Sequence, residues 1–116
     1  MMVRIHFKDI DPEGEGRDDY TFDIQVDAEN KPVAGIPFFG IWGQFSDHNN
    51  CYPVLLQRNG QIDLGSQADL PAIKEDRLER FQRTNLRDRK MVLGEFVTFW
   101  VDDEEFPYKI SNVQKL

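Results

Sequence analysis

Residues 20–27 read YTFDIQVD, and this run decides the fold class predicted from the sequence. Apolar and polar residues alternate along it, which is the pattern of a strand with one dry and one wet face. Residues 3–8, VRIHFK, repeat the pattern. The polar segment 9–19 contains glycine and joins the two runs. We therefore expect an antiparallel hairpin with a long acidic loop.

Two further hairpins are predicted downstream. Asn59-Gly60 separates two β-competent runs, and this dipeptide is the strongest short signal for a hairpin. A two-residue turn there would place Leu55 opposite Leu64 on one face. The segment GEFVTFWVDDEEFPYKI, 94–110, resembles the closing hairpin of many small β-barrels. Because Pro107 lacks an amide donor, its strand is expected to be an edge strand or to carry a bulge.

Residues 71–84 are the only helix candidate. Pro71 suits a first helical turn, and the segment carries charged pairs at helical spacing, Asp76/Arg80 and Glu79/Arg83. The prediction is an α+β fold with about six short, mostly antiparallel strands. The strands would form a half-open barrel or a roll, with one short helix near residues 71–84. The C-terminal residues 111–116 are expected to pair briefly or not at all.

Length and composition predict one small soluble domain spanning residues 1–116. A chain of 116 residues fits one domain, and 40% hydrophobic with 30% charged residues is usual for a globular protein. No apolar run approaches the roughly 20 residues of a membrane span, and the N-terminus lacks the apolar region of a secretory signal. Cys51 is the only cysteine, so a reducing compartment such as the cytoplasm is expected.

The formal net charge of −7 makes nucleic acid an unexpected partner, because nucleic-acid binding needs a basic surface. Segment 74–90 is nevertheless rich in arginine. Arg77, Arg80, Arg83 and Arg87 would form one stripe on a continuous helix. Such a stripe could bind phosphates, but neighbouring acids favour a salt-bridged, exposed helix.

The candidate binding segment lies in residues 35–53, GIPFFGIWGQFSDHNNCYP. Its aromatic residues either fill the core or present an apolar contact surface. Adjacent residues of a strand point to opposite faces, so one core cannot easily bury both Phe38 and Phe39. We predict that segment 36–45 contacts a protein or a small ligand through Phe38, Phe39, Trp42 and Phe45.

Reactive side chains follow in the same stretch. Asp47, His48 and Cys51 lie within five residues, and a thiolate beside an imidazole can act as a nucleophile. The cluster has too few ligands for a structural zinc site, and a turn leading into a strand explains it as well. The acidic loop starts like a calcium loop, but Tyr20 stands where the bidentate glutamate is needed. No catalytic residue, metal or cofactor is predicted.

Three functional hypotheses remain open. The first is a non-catalytic binding or regulatory domain that uses segment 36–45, with its acidic surface favouring a basic protein partner. The second is a homo-oligomeric structural domain joined through the hairpin that contains Pro107. The third is a small cysteine-dependent enzyme that uses Cys51 and His48.

Overall fold

The computed structural model describes residues 1–10, 19–43, 51–65, 80–101 and 103–116. Within them, antiparallel strands follow one another around a closed barrel, and the last strand pairs with the first. The strands are β1 (Met2–Asp9), β2 (Tyr20–Gln25), β3 (Phe38–Gly43), β4 (Cys51–Leu56), β5 (Gln61–Asp63), β6 (Phe81–Thr84), β7 (Phe96–Val101) and β8 (Glu104–Lys115). No helix in the described ranges is long and apolar enough to span a membrane.

The two runs that alternate most regularly form β1 and β2, and their predicted pairing is confirmed. Val3 lies opposite Ile24, and Phe7 lies opposite Tyr20. The apolar residues of both strands are buried, while Arg4 and Asp23 lie on the outer face. The hairpin of β7 and β8 is confirmed in the same way, with Phe99 opposite Phe106. The alternation of apolar and polar residues is therefore sufficient to predict a strand whose apolar residues face the core.

Aromatic rings fill the middle of the barrel. The Tyr20 and Phe99 rings stack with their centroids 4.4 Å apart, and Tyr108 meets Phe99 edge-to-face at 4.8 Å. Phe7 contacts Phe99 at 5.9 Å. A barrel of eight strands is just wide enough for side chains to fill, and large rings fill this one between the described strands.

The predicted α+β class is wrong for the described residues. Their one helical element is a single 3-10 turn, Leu86–Asp88. Residues 81–84 belong to β6, and segment 71–79 of the predicted helix lies outside the described residues. Two arginines assigned to in-helix pairs contact distant carboxylates instead: Arg80 binds Asp63, and Arg83 binds Asp103. The single arginine stripe is therefore not formed.

Strand β6 escaped sequence prediction because its polarity is inverted. Phe81 points outward and is 42% exposed, whereas Gln82 points inward and is only 3% exposed. The buried amide is satisfied because the Tyr20 hydroxyl donates a 2.7 Å hydrogen bond to its Oε1. An alternation that places glutamine inside and phenylalanine outside resembles a helical stripe more than a strand.

The half-open barrel is also wrong, because β8 continues to Lys115 and closes the sheet against β1. Residues 111–116 are mostly polar, and a register shift interrupts their alternation. Pro107 does not mark an edge, since β8 has a neighbour on both sides. Its carbonyl accepts the amide of Ile10. The Pro107 nitrogen faces β1 as its carbonyl does. Because β1 ends at Asp9, the ladder needs no amide donor from Pro107 there.

The Asn59-Gly60 hairpin forms with a register different from the predicted one. Leu56 pairs with Ile62 and Leu55 with Asp63, so Leu55 does not share a face with the buried Leu64. Gly60 has φ of 87°, while Asn59 has a negative φ. A three-residue loop with glycine in the left-handed region explains the extra residue.

We expect the Tyr20–Gln82 hydrogen bond to contribute measurably to stability. Replacing Tyr20 with Phe leaves the Gln82 oxygen buried without this donor, which costs about 1–3 kcal/mol of unfolding free energy. Urea unfolding measures the loss. The double variant Y20F/Q82M is the control, because it removes both polar partners. If the loss of unfolding free energy in Y20F/Q82M equals the sum of the losses in Y20F and in Q82M, the two side chains are not directly coupled.

Candidate functional site

Strand β3 directs the aromatic residues of the candidate segment to different places. Phe38 lies in the core at 2% exposure, and Phe39 is 72% exposed on the outside, as expected for neighbours in a strand. The Trp42 ring points inward and stacks on Tyr20 at 6.3 Å, with Tyr52 on its other side at 5.9 Å. Phe45 lies outside the described residues.

Phe39 belongs to an apolar patch formed by β3 and β4. Phe39 pairs with Leu55, and Ile41 pairs with Pro53. All four residues occupy outward-facing positions of the two strands, with Pro53 exposed and Ile41 and Leu55 half-buried. We call Phe39, Ile41, Pro53 and Leu55 the outer apolar face. The sequence identified Phe39 but not its neighbours on β4, because no pattern in the sequence predicted the pairing of β3 with β4.

One shallow hollow is lined by Phe39, and a second is lined by its cross-strand partner Leu55. The first is bounded by Phe39, Gly40 and Ile41 on one side and by Arg4, Thr21 and Asp23 on the other. The second is lined by Pro37, Leu55, Gln57, Arg58 and Asn59. An exposed aromatic ring beside a depression has the shape of an anchor residue in a protein contact.

Ion pairs border the outer apolar face. Arg4 binds Asp23 through two hydrogen bonds of 2.8 and 3.0 Å. Arg80 forms the same kind of bidentate pair with Asp63. The hydrogen bonds from Arg80 hold the pKa of the Asp63 carboxyl below its ordinary value. The border is therefore polar and internally neutralised, and it resembles the rim of an interface around an apolar centre.

Phe39 differs from the other exposed phenylalanines in what covers it. The Arg80 guanidinium lies 5.2 Å from the Phe81 ring centroid, and the Lys109 ammonium lies 6.0 Å from the Phe96 ring centroid. Within the described part of the chain, no cation covers the Phe39 ring. Its apolar surface is therefore left to solvent, whereas the other two rings are partly covered by cation–π contacts.

Arg87 fixes the segment that leads into β3. Its guanidinium donates to the backbone carbonyls of Val33, Ile36 and Gln57 and lies 4.9 Å from the Phe38 ring centroid. Burial lowers the pKa of the Arg87 guanidinium from its ordinary value, but arginine stays charged near neutral pH. This side chain ties segment 33–36 and the end of β4 to the 3-10 turn.

The predicted cysteine site is only partly covered by the structure. Cys51 is a half-buried free thiol at the start of β4, opposite Gly43. Asp47 and His48 lie outside the described residues, as does most of the acidic loop. In the described ranges, no group of three or more potential metal ligands converges.

His6 occupies an outward position of β1 and is half-buried. The structure places it between two polar partners, Asp19 and Ser111, at 2.9 and 2.8 Å. These partners are 13 and 105 residues away in the chain. No local motif could have revealed the cluster, because it depends on the closure of β8 against β1.

Comparisons of the chain with protein-family models, with curated proteins and with solved structures found no match.

Proposed function

We propose that this protein is a binding domain that contacts a protein partner through the outer apolar face. The observation that carries the proposal is the exposed Phe39 ring, 72% exposed and without a covering cation in the described residues. A large aromatic side chain left in water on a rigid strand is a free-energy cost that a partner can remove. The barrel provides the rigidity.

The surroundings of Phe39 indicate the kind of partner. The outer apolar face takes aliphatic or aromatic side chains, and the bordering ion pairs already satisfy their own charges. The acidity of the chain, −7 overall, favours a partner with a basic surface around its apolar contact. Buried aromatic anchors typically contribute about 2 kcal/mol or more to binding.

We expect Phe39→Ser to weaken partner binding at least tenfold, which corresponds to about 1.4 kcal/mol. Leu93→Ser is the matched control, because Leu93 is 71% exposed and precedes β7, away from β3 and β4. Proteins captured from the source cells by the wild type, F39S and L93S are compared by quantitative mass spectrometry. Candidates are then purified, and their affinities for all three proteins are measured by calorimetry.

The proposal requires a protein that binds the wild type and L93S equally and F39S more weakly. Equal affinity for all three, or no partner that binds the wild type as a purified protein, would contradict it. Sedimentation velocity on the purified chain identifies the case in which the partner is a second copy. In that case the wild type and L93S form dimers, and F39S does not.

A further inference from the structure

Three polar side chains meet on the outer face where β8 closes against β1. His6 Nε2 lies 2.9 Å from Asp19 Oδ2, and His6 Nδ1 lies 2.8 Å from Ser111 Oγ. The histidine therefore has a carboxylate on one ring nitrogen and a hydroxyl on the other. A nucleophile, a base and a group that orients the base are in hydrogen-bonding contact.

A β-bulge brings Ser111 to His6. His6 pairs with Asn112 and Phe7 pairs with Ile110, so Ser111 is the extra residue of β8 at this register shift. The bulge reverses the alternation of β8, and Ser111 and Asn112 are both exposed. Bulges commonly re-aim a side chain beside an active site. Here the bulge leaves the hydroxyl accessible from solvent.

Asp19 is held in place by its neighbours. Its Oδ1 accepts the Asp9 amide at 3.2 Å, and its backbone carbonyl accepts the Gly43 amide at 2.9 Å. The Asp19 side chain is only 19% exposed, against 37% for His6. A carboxylate in this position fixes the orientation of the imidazole ring.

The carboxylate also decides which ring nitrogen carries the proton. An ionised carboxylate only accepts hydrogen bonds, so His6 Nε2 donates to Asp19. In the neutral imidazole, Nδ1 is then unprotonated and accepts the hydroxyl proton of Ser111. The Ser111 oxygen lies farther from its other acceptor, the His6 carbonyl, at 3.3 Å. The cluster is thus arranged for removal of the serine proton.

We propose that Ser111 is the nucleophile of a serine acyl-transfer site, with His6 as general base and Asp19 as positioning residue. The substrate class is an activated ester. Ser111 Oγ attacks the carbonyl carbon and forms the O–C bond, while its proton passes to His6 Nδ1. The bond to the leaving oxygen breaks, and His6 returns the proton to the leaving group. Water then attacks the acyl carbon while its proton passes to His6 Nδ1. The bond from Ser111 Oγ to the acyl carbon breaks, His6 returns the proton to Ser111 Oγ, and the acid is released.

The surrounding surface favours negative charge in the transition state. Lys8 and Lys109 lie directly opposite each other, two residues along the strands from His6 and Ser111. Like charges in directly opposite positions destabilise a sheet, and no described carboxylate forms an ion pair with either lysine. The Lys109 ammonium lies against the Phe96 ring of β7, so Lys8 is the lysine that can stabilise the oxyanion formed when the ester is attacked.

The first test uses a fluorophosphonate, which transfers its phosphonyl group to the oxygen of an activated serine and releases fluoride. We expect intact-protein mass spectrometry to show one adduct on the wild type, located at Ser111 by peptide mapping. S111A should carry no adduct, and S66A, the matched serine control, should be labelled as fast as the wild type. Thermal unfolding verifies that each variant folds. An unlabelled wild type or an equally labelled S111A would overturn the proposal.

The second test concerns Asp19 and uses Asp19→Asn. An asparagine amide donates to His6 Nε2, which moves the ring proton to Nδ1 and removes the base. Labelling should slow at least tenfold, since general base catalysis contributes about 10²–10⁴-fold. Imidazole nitrogen-15 spectra should show the tautomer change, which a merely structural role would not produce. An unchanged labelling rate or an unchanged tautomer in D19N would overturn the proposal.

Discussion

Replacing Gly40 with Ala is expected to destabilise the barrel by about 3 kcal/mol, near the upper end for an overpacked site. Gly40 lies on β3 between Phe39 and Ile41, and its missing side chain would point toward β2. A Cβ atom there would come within 3.0 Å of both the Phe22 ring and the Thr21 carbonyl oxygen. The carbonyl belongs to the paired backbone of β2, so it cannot move without disturbing the β2–β3 ladder. Urea unfolding measures the loss.

Gly35→Ala is the control for Gly40→Ala. Gly35 has φ of 78°, and no atom lies within 4 Å of its would-be Cβ. The cost there is the left-handed backbone alone, about 1–2 kcal/mol. Adding Phe22→Leu to G40A should recover only part of the loss, because the Thr21 carbonyl remains. If G40A cost no more than G35A, β2 and β3 would not approach as closely as the structure shows.

Gly40 also connects the fold to the proposed binding face. The close approach of β3 to the Phe22 ring places Phe39 and Ile41 on the same outer surface, beside the residues of β2. An alanine that pushes β3 outward would displace both side chains. We therefore expect G40A to lose partner binding together with stability, whereas F39S loses binding alone.

The strands that sequence patterning identified are those whose apolar residues face the core. β1, β2 and the first half of β8 fulfil this condition, so alternation was sufficient for them. β7 was predicted from its run of β-competent residues, because Phe96 and Trp100 occupy outward positions. β6 does not, because a tertiary hydrogen bond from Tyr20 makes Gln82 acceptable inside the barrel. The second half of β8 was missed because the bulge at Ser111 reverses the alternation. Both features depend on partners distant in sequence.

In the candidate site, too, some features follow from the local sequence and others depend on residues distant in the chain. The outward orientation of Phe39 follows from its position next to Phe38, which the sequence displays. The rest of the outer apolar face depends on the β3–β4 register, which no pattern in the sequence specified. The His6 cluster joins residues from both ends of the chain through barrel closure, so nothing in the sequence near His6 indicated it.

The second large effect is expected for Arg87→Met, at about 3 kcal/mol of unfolding free energy. The Arg87 guanidinium donates to three backbone carbonyls, of Val33, Ile36 and Gln57. Hydrogen bonds to charged groups contribute about 1.5–3 kcal/mol each. In the variant, water forms hydrogen bonds to those carbonyls that become accessible, so the net loss is smaller than the sum. Methionine keeps much of the apolar stem beside the Phe38 ring but supplies no donor.

The Arg87 variants separate geometry from charge. Arg87→Lys keeps the charge, but one ammonium cannot reach three divergent carbonyls, so more than half of the loss should remain. Arg89→Met is the control, because that arginine is 41% exposed, pairs with Glu95 and donates to one backbone carbonyl, that of Phe96. Surface pairs contribute about 0–1 kcal/mol. An R87K variant as stable as the wild type would show that the three carbonyl contacts are not what stabilises this part of the barrel.

Hydrogen exchange locates the effect of Arg87 within the fold. In R87M, amides of residues 33–39 should exchange faster, because the segment leading into β3 loses its attachment to the 3-10 turn. Amides of β1 and β8 should keep their protection, since Arg87 contacts neither strand. Phe39 follows the loosened segment directly, so partner binding should weaken as well. Uniformly faster exchange across the barrel would instead show that Arg87 stabilises the whole sheet and does not specifically hold the base of the binding face.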